Sequence, residues 1–294
     1  MNIIFELDKD EAKWWKETII EFRNKYILPP GEYVKNCIEI QKIDDASVKK
    51  QVSDFICKMR EKCWDLYIRD EIQFHKKIIA YLIKERQLPS SILKELINKD
   101  FLCTSAEVSD KKVVFEKLSG LVGDFAGRIM PYFYSLSLST TNSRRSRAGQ
   151  TFEAIVTYIM MVYKYPFEDQ SALGSDFYRK NGLGKIVDGV LPGAKEYEQN
   201  RAKCQIITMK TTLRERWQEV VEELSRTNIP HMYLLTLDDH LSENLLTTMQ
   251  HQNITVVGYR WIKEHLQSFE NMVSFDDFFN KHIPHALSFW RSVK

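Results

Sequence analysis

Asp188 lies inside the apolar run "KIVDGVL" at 185–191. A buried, unpaired carboxylate there would be costly, so it must meet a cation, a set of hydrogen-bond donors or solvent. Lys210 closes the next such run, "CQIITMK" at 204–210. If the two runs pair as a hairpin through the connection around 192–202, acid and amine emerge at one sheet edge. Further on, Glu219 and Glu223 stand one helical turn apart on one side, while Glu222 points elsewhere. Carboxylates and an ammonium converging at the end of a sheet suit divalent-metal phosphodiester hydrolysis: the carboxylates hold Mg²⁺, and the lysine stabilises charge or positions the attacking water. The same residues also suit a strand Asp in a turn, a Lys at a strand end and a solvated Glu face, and spacing alone favours that plainer reading.

Between these groups lies "KTTLRERW" at 210–217, a helix start loaded with Arg214, Glu215 and Arg216. Two arginines in a first helical turn oppose the helix dipole, which favours a reason beyond local stability. An arginine fork donates to guanine O6 and N7 in the major groove, and a carboxylate accepts from cytosine N4, so this triplet can read adjacent G and C pairs. A set of exposed ion pairs is the alternative. Arg144, Arg145 and Arg147, in the polar stretch "SLSLSTTNSRRSRAGQ", can contact phosphate oxygens, or can belong to a solvated loop.

Taken together, "VDG" at 187–189, "KTTLRERW" with Glu223 beyond it, and "SRRSRAGQTFE" at 143–153 resemble the CCGG-reading type II restriction endonucleases. That family lies within the PD-(D/E)XK nuclease superfamily, in the branch of EcoRII, PspGI and NgoMIV. The likeness covers roughly Ser143 to Leu237, and three motifs in order are more specific than any one alone. It implies that Asp188 is the metal-binding acid, Lys210 the catalytic lysine and Glu223 the second carboxylate, with Glu153 a further acid near the metal. It also implies that Arg214, Glu215 and Arg216 read the CC and GG steps. Two positions depart from the superfamily pattern: Val187 stands where a proline precedes the Asp, and Thr208 stands where the acid of the (D/E)XK triplet belongs. In this branch the acid comes from the next helix, which is where Glu223 lies; Glu219 is the substitute if that helix is rotated.

The implied chemistry is Mg²⁺-dependent, with Mn²⁺ able to substitute. A metal-activated water attacks a phosphodiester in line and leaves a 5′ phosphate on a 5′ overhang. A palindromic duplex target implies a homodimer with one active site per strand, acting beside a methyltransferase that protects the same site. A structure-specific repair or recombination nuclease on the same core is the rival enzyme, and a non-cleaving DNA-binding protein the rival of another class.

The elements that must position these residues follow from hydrophobic period. Residues 1–135 are helical in pattern: "EAKWWKETIIEFRNKY", a long run from Ala46 to Arg86, "SSILKELI" and "KKVVFEKLSGLVGDFAGRI". Pro29, Pro30 and Gly31 break the first pair, and Pro89 separates later ones. The polar stretch around 135–150 reads as a loop leading into a helix from about Ala148 to Tyr163. Strand-like runs then appear at 185–191, 204–210, 231–237 and 254–259, with an amphipathic helix carrying Trp217, Val220, Val221 and Leu224 between the second and third. The expected fold is therefore α/β: an all-helical region, 1–135, and a mixed-sheet core of the PD-(D/E)XK restriction-endonuclease-like kind, 136–294.

The 294 residues, 44% apolar and 12% aromatic, are ample for a packed core. A formal charge of +2 neither supports nor excludes DNA, so a nucleic-acid partner must be met by a local basic patch. The amino terminus lacks a secretory pattern, no apolar run is long enough to span a bilayer, and five cysteines without paired CxxC spacing suit free thiols, so the expected location is cytoplasmic, with no membrane partner. If the catalytic half reads CC and GG, the helical half is left to dimerise, contact flanking bases or handle a central base pair. Trp14, Trp15 and Trp64 are candidates for stacking on a flipped base, although tryptophans at helical spacing usually belong to the core. Asn142 is a candidate for a minor-groove edge.

Overall fold

The computed structural model describes residues 7–86, 111–183, 186–213, 216–227 and 229–293. Helix α1 (Lys9–Tyr26) is capped by Asp8, which accepts from the Glu11 N–H, and Pro30 opens α2 (Pro30–Gln41), where its missing N–H costs nothing. Asp44 caps the short α3 (Asp45–Lys50), which is followed by α4 (Val52–Glu85) and by α5 (Lys111–Tyr163), a single helix of 53 residues. The expected helix "SSILKELI" lies outside the described residues.

Helix α5 corrects the expected loop at 135–150, which is helical throughout. Ile129, Tyr132, Leu136 and Thr140 are buried at spacings of three and four, so one face is held by packing while Ser137, Leu138 and Thr141 stay exposed. A helical stripe is easily missed where the residues flanking it are Ser, Thr and Asn, which favour turns locally.

The chain forms two compact units: residues 1–29 with 65–146, and residues 30–64 with 147–294. The expected division at 135/136 placed 30–64 in the helical region, whereas these residues cluster with the sheet, where Asp276 accepts from the Val52 N–H at 2.9 Å. The first unit is helical in its described part. Trp15, Phe74, Ile78 and Leu82 are fully or almost fully buried in it, and the Trp15 indole donates to the Tyr132 carbonyl at 3.0 Å.

The second unit is built on a six-stranded sheet: β1 (Glu168–Asp169), β2 (Gly189–Leu191), β3 (Gln205–Lys210), β4 (Met232–Thr236), β5 (Ile254–Gly258) and β6 (Met272–Ser274), in that spatial order. The first three strands pair antiparallel and β3 to β6 parallel, as expected of a mixed sheet. Helices α6 (Gln170–Asn181), α7 (Ala194–Asn200), α8 (Arg216–Arg226) and α9 (Glu243–His251) connect successive strands from β1 to β5. Val220 and Leu224 of α8 and Leu245, Leu246 and Met249 of α9 pack with Ile206, Met232, Leu234, Ile254 and Val256, closing one face of the sheet. The chain ends in α10 (Arg260–His265), β6, short helical turns and α11 (Ile283–Val293), whose Trp290 joins the same core.

The expected strands at 204–210, 231–237 and 254–259 are present, trimmed at their ends, while β1 and β6 are too short to leave a periodic signal. Among the described residues no helix is long and apolar enough to cross a membrane. Cys37, Cys57, Cys63 and Cys204 are free thiols, as expected, and Cys103 lies outside the described residues.

Candidate active site

The hairpin expected between the Asp188 and Lys210 runs is present: Gly189 pairs with Ile207, Val190 with Ile206 and Leu191 with Gln205. Asp188 itself sits one residue before β2, its N–H donating to the Ile207 carbonyl at 2.8 Å. Gly189 is required here, because a Cβ at this position would lie 2.2 Å from the Phe167 ring and 3.1 Å from the Glu168 carbonyl. The "DG" pair thus reflects a close approach of β1 to β2 beside the acid.

The Asp188 carboxylate is only 9% exposed, and its two oxygens differ in their surroundings. Oδ2 accepts the Met209 N–H at 2.6 Å and the Thr208 hydroxyl at 3.3 Å, and faces the Lys210 ammonium at 3.8 Å. Oδ1 accepts from the Gln170 side-chain amide at 3.2 Å. Burial raises the pKa of this carboxyl above its ordinary value, with Lys210 and the two donors from β3 opposing the rise.

Asp188 lines a cavity of about 610 Å³ together with Gln150, Glu153, Asp169, Gln170 and Met209, while Val34 and Ile38 of α2 contribute an apolar wall. Glu153, in the last third of α5, is close enough to feel the Asp188 charge: its pKa is raised, first by burial and then by the Asp188 carboxylate, and lowered by Lys210. Two desolvated carboxylates lining one cavity, each with its pKa raised by burial and lowered by Lys210, form a donor set whose repulsion a divalent cation would relieve. Among the described residues no three acids, histidines or cysteines gather into a complete metal cage. The third acid expected, Glu223, belongs to α8, and its side chain, like those of Glu219 and Arg216, lies outside the described set. Thr208 is fully buried, so the triplet's usual acid position is filled by a neutral hydroxyl bonded to Asp188.

Arg214 and Glu215 also lie outside the described residues, but the backbone beside them is placed. Leu213 donates its N–H to Asp238 Oδ2 at 2.8 Å, and its carbonyl accepts the Trp217 N–H at 3.2 Å, so the segment just after β4 anchors the entry to α8. Of the basic cluster, Arg144 is committed within the first unit: its guanidinium grips both carboxylate oxygens of buried Glu71, which also accepts the Tyr67 hydroxyl at 2.5 Å. Its pairing with Glu71 gives it a structural task that the sequence does not announce. Arg145 and Asn142 are exposed on α5, and Arg147 is half-buried. Of the three tryptophans, Trp15 is core, Trp14 carries the Arg86 guanidinium 3.6 Å above its ring, and Trp64 is 45% exposed.

Gln170, Asp169 and Asp238 were not singled out from the sequence. Asp169 caps α6 by accepting from the Ser171 and Ala172 N–H groups, both at 3.0 Å, so the "EDQS" stretch carried a capping signal that would have located the helix start and Gln170 within it.

A mixed sheet whose antiparallel hairpin delivers an acid and a lysine to one edge, with helices on its parallel half, defines a PD-(D/E)XK restriction-endonuclease-like fold. Residues 108–279 match the family described as EcoRII C terminal, more than half of the chain, and the chain belongs to that family. It is 38% identical over 205 residues to the type II restriction enzyme SsoII of Shigella sonnei, a match covering 70% of this chain and 59% of SsoII, so the chain spans less than two thirds of that relative. Metal-depleted Ecl18kI in complex with uncleaved DNA is similar with a TM-score of 0.76 and 28% identity, over 96% of this chain and 87% of that one. The PspGI–substrate DNA complex has a TM-score of 0.61 at 17% identity, over 89% of this chain and 94% of that one, a likeness of fold alone.

Proposed function

We propose that this chain is a type II restriction endonuclease: a metal-dependent enzyme that cuts palindromic double-stranded DNA containing CCGG or an interrupted CC(N)GG, leaving 5′ phosphates and 5′ overhangs. The observation that carries the reading is the buried Asp188 carboxylate, 3.8 Å from the Lys210 ammonium and lining one cavity with Glu153. Membership of the EcoRII C-terminal family and the likeness to SsoII, named as a type II restriction enzyme, support it. The likeness to Ecl18kI, which was captured on uncleaved DNA, supports duplex DNA as the substrate.

Asp188 and Glu153 would hold Mg²⁺, or Mn²⁺ in its place, with Glu223 as the further acid. Bound there, the cation supplies positive charge at the scissile phosphate and lowers the pKa of water. The chain's own residues do the rest. Met209 N–H and Thr208 fix one oxygen of Asp188, and Lys210 places an ammonium beside that carboxylate, where it meets the charge that builds on the phosphoryl oxygens. The apolar wall from α2 limits competing water.

Reading falls to Arg214, Glu215 and Arg216, which follow Lys210 by four to six residues and are anchored through Leu213 and Asp238. Arg145 and Arg147 are the phosphate contacts, and Asn142 a groove contact. Trp64, 45% exposed, is the candidate for stacking on a flipped central base. A symmetric site calls for a homodimer, and a methyltransferase protects the same sequence.

The test is incubation of the protein and Mg²⁺ with random-sequence DNA, followed by deep sequencing of the cut ends. Discrete ends centred on CC and GG steps are expected; cuts that track junctions or flaps whatever the sequence would replace this reading with that of a repair nuclease. A wild-type protein that cuts with neither Mg²⁺ nor Mn²⁺ would leave only DNA binding. Arg214→Ala or Glu215→Ala should lose about 1–3 kcal/mol of discrimination at G·C positions, and equal weakening on all sequences would exclude direct reading.

A further inference from the structure

Gln170 is the first residue of α6, and its place is fixed before its side chain does anything. The residue before it, Asp169, caps the same helix and pairs with Gly189 in the β1–β2 ladder, next to Asp188. From that position the Gln170 amide nitrogen reaches two acceptors at once, the Val187 carbonyl at 3.0 Å and Asp188 Oδ1 at 3.2 Å. Both hydrogens of the –NH₂ group are thereby used, and the opposite orientation of the amide would set its oxygen against a carbonyl and a carboxylate, so the network determines which way it faces. The Val187 carbonyl is also held by the Tyr178 hydroxyl at 2.7 Å, a second grip from α6 on the hairpin.

The consequence concerns the plane of the Asp188 carboxylate. All the donors from β3, Met209 N–H, Thr208 and Lys210, act on Oδ2. Contacts at one oxygen fix that atom and leave the group free to turn about it. A donor on the other oxygen removes this freedom, and Gln170 supplies it from a helix tied to the same ladder.

We infer that Gln170 is a positioning residue for the metal site: by bridging Val187 and Asp188 Oδ1 it sets the plane of the Asp188 carboxylate and so the affinity with which that carboxylate meets a divalent cation. The inference rests on the endonuclease reading above. Gln170 lines the same cavity as Asp188 and Glu153 and carries no charge, so it would orient a ligand without being one of the charged groups that would hold the cation.

Gln170→Met keeps the length of the side chain and removes its donors; Gln170→Ala removes the side chain altogether. Asp176→Ala, on the exposed part of α6 where Asp176 pairs with Arg179, serves as the control. Mn²⁺ binding to each protein on its cleavage-site duplex is followed by electron paramagnetic resonance, alongside the Mg²⁺ concentration giving half-maximal cleavage. Losing a hydrogen bond to a charged group should weaken Mn²⁺ binding about tenfold and raise the half-maximal Mg²⁺ to match, with KM for DNA unchanged. Cleavage at saturating metal should return toward wild type, which a misfolded protein would not do. Wild-type Mn²⁺ affinity in both Gln170 variants would overturn the inference and leave the endonuclease reading standing. A wild-type protein that neither binds Mn²⁺ nor cuts would overturn both.

Discussion

The Thr208 hydroxyl donates to Asp188 Oδ2 across 3.3 Å, at the position where the (D/E)XK triplet carries its acid. Thr208 is fully buried, so an acid there would press a second carboxylate against Asp188 with little solvent to share the charge. The substitution therefore removes a repulsion from the hairpin and leaves the next acid to come from another element. Thr208→Val should cost about 1 kcal/mol, the worth of a long hydrogen bond of this kind. Thr208→Glu should cost more, about 2–4 kcal/mol in EDTA, with part of it recovered in Mn²⁺. Urea unfolding with and without metal checks both; equal stability of Thr208→Glu in the two conditions would separate this position from the cation.

Lys210 lowers the pKa of both Asp188 and Glu153, each of which burial raises. A carboxyl with a raised pKa keeps its proton to higher pH, and a proton competes with a cation, so metal binding should rise with pH through a range above that of an ordinary carboxylate. Lys210→Met removes the opposing charge and should move that limb further upward. Cleavage should fall about 10²–10³-fold or more, while binding to the cognate duplex persists. Mn²⁺ titrations across pH and a binding assay in EDTA check the two halves; an unshifted limb would mean that the ammonium does not act on the acids.

The hairpin and its two charged residues were legible in the sequence because an acid in an apolar run and a lysine at the end of another are anomalies with a short connection. Strands β3, β4 and β5 are likewise legible as short apolar, β-rich runs, and helix α8 by its one apolar face. What stayed hidden was hidden for physical reasons. Strands of two or three residues such as β1 and β6 contain no period to detect. The middle of α5 buries Ile129, Tyr132, Leu136 and Thr140 within a stretch rich in serine, threonine and asparagine, so local composition argued for a loop. The pairing of Arg144 with Glu71 joins residues 73 positions apart, and the amide of Gln170 acquires its meaning only when α6 meets the hairpin.

Arg144 and Arg145 are neighbours with opposite assignments. Arg144 compensates a buried carboxylate, so Arg144→Ala should destabilise the fold by about 2–3 kcal/mol by leaving Glu71 without its cation. Arg145 is exposed; Arg145→Ala should leave stability unchanged within about 0.5 kcal/mol and reduce the slope of log K against log salt for DNA binding by about one unit. Thermal unfolding and a salt series on each variant decide the matter, and a reduced salt slope for Arg144→Ala at unchanged stability would reverse the assignment.

Glu71 also gives the first unit a defined response to acid. Burial pushes its pKa up, but hydrogen bonds from Arg144 and Tyr67 and the charge of Arg144 more than offset this, so the folded value lies below the ordinary one. His75, in hydrogen-bond contact with Thr140 at 3.2 Å, is lowered as well, chiefly by burial and against the pull of Glu71. A group with a depressed folded pKa stabilises above its unfolded pKa and loses that contribution as pH falls through the folded value. The loss should therefore come in two stages, His75 first as pH drops below about 6.5 and Glu71 below about 4.5. His75→Gln should flatten the first stage and Glu71→Gln the second, at the expense of stability near neutrality. Urea unfolding followed by far-UV circular dichroism at a series of pH values measures both, and identical curves for wild type and His75→Gln above pH 5 would remove the histidine from the account.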